Sequence, residues 1–552
     1  MSDQALPARP KTRDGARALS GLALLVAGLC ALPMLAVLVA ALSGGTETVQ
    51  HLMETVLGGY TRTTLALVVL VACGTFMIGV GAAWLVTMTR FPGARFFEIA
   101  LVLPLAFPAY VLAYAYTHVL DHPGIVQTLL RDVTGWGPRD YWFPDIRSLG
   151  GAAMMLVLVL YPYVYLLARA AFIQKSGTTF LAARALGSSP WAAFFKVSLP
   201  LARPAIAGGV LLAVMETIAD FGTVAYFGVQ TFATGIYTSW FSMFDRVAAA
   251  QLALCLLSFA LLLAMLERLQ RGDAKYHDPA RQAQTVPAIV LSGWRGMAAA
   301  LLCAVPVMFG AILPIIVLFS MGIGSEQNLL SARYLGFIQN SATLASVAAV
   351  VTVLAAISVG FFQRMRAGRT AQSAAYVARL GYAVPGGVIA VGLMVPFAAF
   401  DNALDAWMRA TLDISTGLLI TGSIWLLVIA YMVRFLAAAL GAYEGGQAMV
   451  HVNMDSASRS LGQGPVGTLR RVHLPILAPS LLTALLIVFV DVMKELPATL
   501  IMRPFNFDTL AVQAYRLASD ERLEGAAVPS LVIVAMGLLP VILICRQVGR
   551  NR

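Results

Sequence analysis

Apolar and polar residues fall in long blocks along this chain, not at strand or amphipathic-helix spacing. A helix needs roughly 20 apolar residues to cross the hydrocarbon of a bilayer. Twelve runs meet that measure. In the first half they lie at about 18–42, 61–89, 96–119, 151–172, 205–228 and 247–267, and in the second at about 297–320, 340–362, 380–400, 416–442, 479–500 and 529–547. A polar linker, 268–295, rich in charge, Gln and Pro, separates six runs from six. The pattern predicts an all-α membrane protein of about 12 transmembrane helices in two halves, 1–275 and 276–552. The first run follows Arg9, Lys11, Arg13 and Arg17, but it is longer than the roughly 7–15 apolar residues of a signal peptide, so it is read as an uncleaved span.

The two halves share more than their span number. Residues 181–200, LAARALGSSPWAAFFKVSLP, recur as 456–475, SASRSLGQGPVGTLRRVHLP, displaced by 275 residues. Both contain Arg-x-Leu-Gly, a proline three residues after the glycine, and Leu-Pro ten residues beyond that. Pro204 matches Pro479, Phe232-x-Thr234 matches Phe507-x-Thr509, Asp245-Arg246 nearly matches Glu521-Arg522, and Pro108 corresponds to Pro385. An even number of spans per half makes the repeats parallel, and parallel halves pack about an axis along the membrane normal. A pathway between them is the expected consequence.

Composition supports a membrane protein: 59% of residues are apolar and 12% charged, against about 25% charged in soluble domains. The net charge of +11 is scattered through the loops, which argues against a nucleic-acid partner. Placing the N-terminus in the cytoplasm assigns 25 of the 38 Lys and Arg to cytoplasmic segments and 11 to external ones, as the positive-inside rule prefers. Both termini and both repeated stretches then face the cytoplasm, while 121–147 and 503–524 lie outside. The aromatic segment 136–144, WGPRDYWFP, is read as an interfacial belt. Cys30, Cys73, Cys255, Cys303 and Cys545 sit singly in apolar runs and are read as small buried apolar residues.

Each repeated stretch predicts helix, tight turn, helix. Thr178 and Asn453 are candidate N-caps, Gly187 and Gly462 stop the first helix, and Ser189-Pro190 and Gly464-Pro465 start the second. The small residues of the first helix suit close approach by another protein. His451 and His473 are read as surface contacts of the second stretch. No lysine follows a glycine, so no phosphate-binding Gly-Lys-Ser/Thr loop exists and no nucleotide cofactor is expected on this chain.

Ionisable residues within apolar runs are costly and default to functional candidates. Glu216 and Asp220 map onto Asp491 and Glu495 at the same offset of 275, and a spacing of four puts each pair on one helical face. Four carboxylates lining a path for a multivalent cation is one reading. Internal pairing with Lys494, or exposure at span ends, remains open beside it. His118, Asp121 and His122 have metal-competent side chains at helical spacing, although a solvated helix end explains them as well because the second half has no equivalent.

Both repeated stretches resemble the EAA signature of bacterial ABC importer permeases, through which a permease docks its cytoplasmic ATPase. The alanine pair corresponds to Ala182 and Ala183 and to Ala457 and Ser458, the glycine to Gly187 and Gly462, and the final proline to Pro200 and Pro475. Leu181 and Ser456 stand where the family has Glu, with Asp455 beside the second. Segments 216–237 and 491–521 are similar to the fused, two-half permeases of ferric-iron importers, to which thiamine, putrescine and phosphonate permeases are related. The resemblance implies a type I permease fold in a bacterial inner membrane. It also implies docking stretches at 178–200 and 453–475, two separate ATP-binding subunits that use the ATP, an external substrate-binding protein, and contact with membrane lipid. An ion-driven secondary transporter is the competing class, and it would have no use for paired docking helices.

Overall fold

The computed structural model describes residues 12–550, apart from 45, 174–176, 272–288, 326, 328–330 and 367. The half boundary at 275/276, Lys11, Lys175, Lys275 and most of the 268–295 linker lie outside the described residues, as do the side chains of Thr178, Leu181 and Cys545. The described chain is helical almost throughout. Its only strand pairing there is a two-residue bridge, Thr89–Arg90 alongside Ile289–Val290.

Among the described residues, ten helices are long and apolar enough to cross a membrane, and one bent pair brings the number to eleven. The twelfth run falls in helix Leu523–Arg550, whose described apolar part, Leu523–Leu538, is shorter. The third run is not one helix. It breaks at Pro108, and the pieces Ala94–Ala106 and Ala109–Thr134 meet at 93°. Proline lacks an N–H and drives the preceding residue out of the helical region; Phe107 accordingly sits at φ −91°, ψ 135°. The ninth run breaks in the same way at Pro385, between Arg369–Leu380 and Gly386–Leu412. Each pre-proline helix is tied to the following span by an ion pair of opposite polarity: Glu98 meets Arg169 at 3.5 Å, whereas Arg379 meets Glu444.

The chain forms two compact units. The larger comprises Val37–Ser341, Met493–Ile501 and Phe505–Arg552. Its most enclosed span, Leu149–Ala171, has 72% of its apolar window buried, against 33% for Glu47–Met88, and is therefore the packing centre. Helices close on it through small residues, since a Cβ at Gly79 would lie 2.7 Å from Val164 Cβ and one at Gly209 would lie 2.8 Å from Val164 Cα. In a bilayer such contacts substitute for the hydrophobic drive that lipid removes. Helix Trp294–Gly324 joins the same core, Gly310 resting on Pro104 and the Leu158 carbonyl.

The smaller unit comprises Met1–Ala36, Ala342–Val492 and Met502–Pro504. Helix Ile424–Gln447 takes the central role here, 275 residues on from Leu149. Both helices start from a serine cap, Ser148 and Ser423. Gly392 packs against the backbone of Pro33 on the chain's first span. Cys30 and Cys303 are buried as expected, but Cys73 is exposed on the outer face of its span.

Candidate docking and translocation sites

The two repeated stretches adopt one geometry. Helices Gly177–Ala185 and Val452–Ser460 end on glycines with left-handed backbones, Gly187 at φ 87° and Gly462 at φ 76°. The closing bonds match residue for residue. Gly187 N–H donates to Arg184 and Ser188 N–H to Ala183, while Gly462 donates to Arg459 and Gln463 to Ser458. This double closure satisfies carbonyls that the helix end would otherwise leave open. Ser189 then caps helix Pro190–Ala193 by accepting from Ala192 N–H at 3.2 Å, and Pro465 opens the matching helix Pro465–Thr468. In each copy a wide π-turn, Phe194–Ser198 or Leu469–His473, leads into the span. The second first-helix is capped by His451, two residues before the expected Asn453, whose N–H His451 accepts at 3.2 Å.

Both turns present apolar side chains outward. Leu186 is 87% exposed and its counterpart Leu461 78%; Trp191 and Val466 repeat the arrangement. Ala182 and Ala457 are exposed beside them, Ala183 is half-buried, and Ser458 is buried, bonded to Thr468 at 2.9 Å. Pro200 is half-buried and Pro475 sits at the start of its span.

What anchors each stretch differs. Phe180 is buried against Trp84, ring centroids 5.4 Å apart, and Trp84 also packs on Phe194 at 4.3 Å. At the matching position the second copy has Asp455, which accepts from Arg364 Nε at 2.7 Å and bonds His473 Nε2 at 2.7 Å. His473 is therefore no surface contact: it is fully buried, with Phe361 edge-on to its ring at 5.1 Å. Arg364 also donates to the Val450 carbonyl at 2.7 Å. Burial works against the charge of Asp455, but the hydrogen bonds and positive charges of His473 and Arg364 outweigh it, so the carboxyl titrates below its ordinary value. Nothing in the sequence links residues 364, 455 and 473. The one usable signal is that His473 holds the frame of the apolar residues Leu469 and Leu477.

The membrane carboxylates do not share helical faces. The fifth and eleventh spans stop at Ala219 and Met493, short of the expected ends, so Asp220 and Glu495 lie beyond their helices. Each turns back to start the next short helix. Asp220 accepts from Thr223 and Val224 N–H at 3.1 and 3.2 Å, and Glu495 from Ala498 and Thr499 N–H at 3.0 and 3.1 Å. Negative charge at a helix N-terminus is stabilised there by unpaired N–H groups. The two breaks meet within the larger unit: Tyr110 donates to the Lys494 carbonyl at 3.4 Å, and a Cβ at Gly222 would touch both Tyr110 and Leu496. Glu216 and Asp491 remain within their helices, each about one turn earlier.

His118, Asp121 and His122 form no metal group, and none of three or more His, Cys, Asp or Glu side chains exists among the described residues. Asp121 instead accepts from Arg147 Nε at 3.0 Å, and the same guanidinium holds both carboxylate oxygens of Glu521 at 2.7 and 2.9 Å. Arg147 also lies 5.2 Å above the Tyr226 ring. The Arg147 hydrogen bond is the main reason that the Glu521 carboxyl titrates below its usual range. Glu521 is left-handed, at φ 58°, a backbone cost of about 1–3 kcal/mol for a residue other than glycine.

Residues 75–272 match the family described as binding-protein-dependent transport system inner membrane component. Together with the apolar spans, this match and the relatives below support a multi-pass inner-membrane permease subunit of an ABC importer, a transporter component of a kind that works with a substrate-binding protein and ATPase partners. The chain is 25% identical over 527 residues to the Fe(3+)-transport system permease protein FbpB 2 of Haemophilus influenzae, covering 94% of this chain and 95% of that one. It is 23% identical to the ferric transport system permease protein FbpB of Actinobacillus pleuropneumoniae over 80% of this chain and 64% of that one. The molybdenum transport system permease protein ModB of Escherichia coli K12 is 29% identical over 33% of this chain and 79% of its own length.

Proposed function

We propose that this chain imports ferric iron, with both permease halves, 1–275 and 276–552, fused in one polypeptide and both termini in the cytoplasm. Two copies of a separate ATPase dock on 178–200 and 453–475, and an external binding protein delivers the cargo. The chain holds no cofactor of its own, and ATP acts through the partner. The observation that carries this reading is the pair of glycine-closed turns with outward Leu186 and Leu461, because a mere connector between spans has no need of the same exposed apolar tip twice. Ferric cargo is supported by the relatives named for it, which match along most of this chain.

In this mechanism each docking helix is a lever. Movement of the ATPases displaces the exposed tip, and the π-turn passes the displacement into the fifth or eleventh span. Those spans end at the capped breaks of Asp220 and Glu495, where span movement widens or narrows the surroundings of Tyr110. Glu216 and Asp491 each precede their own break by about one turn, and Lys494 directly precedes Glu495. The test is uptake of radiolabelled ferric iron into proteoliposomes containing this chain, its ATPase and its binding protein. Uptake should require ATP and all three components. Uptake driven by an ion gradient without the ATPase would overturn the class, and ATP-dependent uptake of thiamine, putrescine or a phosphonate in place of iron would overturn the cargo.

A further inference from the structure

Arg147 gathers carboxylates from two distant parts of the larger unit, Asp121 at the end of one helix and Glu521 between two others. One positive charge thus sits between two negative ones. The matched acid of the first half, Asp245, spends its carboxylate on the start of its own helix, accepting from Val247 and Ala248 N–H at 2.9 Å each, whereas Glu521 spends both oxygens on Arg147. Beside this group are two buried hydroxyls, Thr117 Oγ1 and Tyr226 OH, which adjoin each other and reach no further partner; both residues are more than nine-tenths buried. Tyr114 packs edge-on against Tyr226 at 4.8 Å, and its hydroxyl is likewise buried and unbonded.

We propose that Asp121, Glu521, Thr117 and Tyr226 form an entry site for a hard metal cation, and that Arg147 occupies it until the cargo takes its place. This rests on reading the chain as a cation permease. The assembled donors are all oxygen, two anionic and two neutral, which suits a hard, highly charged cation and gives a softer metal nothing to choose it by. A guanidinium is a fitting occupant because its planar fork satisfies a carboxylate in two bonds and its charge cannot be lost by deprotonation. Entry is an exchange: the Arg147 N–H bonds to Asp121 and Glu521 break, cation–oxygen bonds replace them, and no proton or electron moves. The Arg147 side chain is 29% exposed and that of Glu521 62%, so the cation has access and the guanidinium has water to move into. Competition from a tethered charge also keeps the site weak enough to release what it admits, which conduction requires.

Terbium(III) tests the site in the purified full-length chain, because emission from this hard trivalent cation is sensitised by adjacent tyrosines. Wild type should bind it weakly, and Arg147→Gln at least tenfold more tightly, since two carboxylates then lose their internal partner. Arg147→Lys should fall between them and stands in if the glutamine variant does not fold. Asp121→Asn with Glu521→Gln should abolish sensitised emission, and Tyr226→Phe with Thr117→Val should weaken it. Equal affinity in wild type and both Arg147 variants, or emission surviving loss of both carboxylates, overturns the proposal. Absence of ferric uptake by the wild-type complex would instead overturn the cargo reading and leave the terbium result standing. Ferric uptake at the wild-type rate in the double carboxylate variant would overturn this site alone.

Discussion

A side chain at residue 187 or 462 would collide with nothing, yet the backbone at both is left-handed, so its cost is conformational. For an ordinary L-residue that cost is about 1–2 kcal/mol, and it is greater for a β-branched one. Gly187→Val or Gly462→Val should therefore tilt the docking helix without unseating the spans. In the reconstituted complex, iron imported per ATP should fall severalfold while assembly persists, and Asn at the same positions should be milder. Unchanged coupling in both valine variants would separate the turn from transport. These glycines were legible because spacing alone marks a helix stop. The work of Asp220 and Glu495 was not, because a carboxylate four residues along reads as a helical neighbour until the helix is seen to end before it.

Between elements, the two docking helices are held by different physics, Phe180 by an aromatic cluster and Asp455 by Arg364 and His473. Removing one partner of such an enclosed charge group costs about 3–5 kcal/mol, so Asp455→Asn should loosen 452–460 selectively. The pH dependence follows from the lowered Asp455 value. The stabilisation is complete above the unfolded carboxyl pKa of about 3.9 and is lost as pH falls through the lower folded value. Hydrogen exchange of 452–460, corrected for intrinsic rate, should show constant protection from neutral pH to about 5 and loss well below 4, with little change over that range in Asp455→Asn. Steady protection through the acid range in wild type would exclude the charge lock. The twelve runs located the elements but misjudged several ends. Residues 221–228 are apolar and still lie off the span, and Pro108 and Pro385 divide runs whose composition is uniform. The contact of 364 with 455 spans 91 residues, a pairing that local pattern does not encode.

For the molecule as a whole, orientation rests on the distribution of Lys and Arg. In a cysteine-free background, Arg139→Cys should react with an impermeant maleimide from outside intact cells, and Arg459→Cys only after permeabilisation. The reverse pattern would invert the topology and exchange the docking and entry sides. The π-turns at 194–198 and 469–473 carry a further consequence. Pro200 lies thirteen positions after Gly187, and Pro475 thirteen after Gly462. Each residue of a helix turns its successors by about 100°. The number of residues between tip and span therefore acts as an angular setting: one residue more or fewer would leave both helices intact and swing the tip about a quarter-turn, aiming the lever away from whatever drives it.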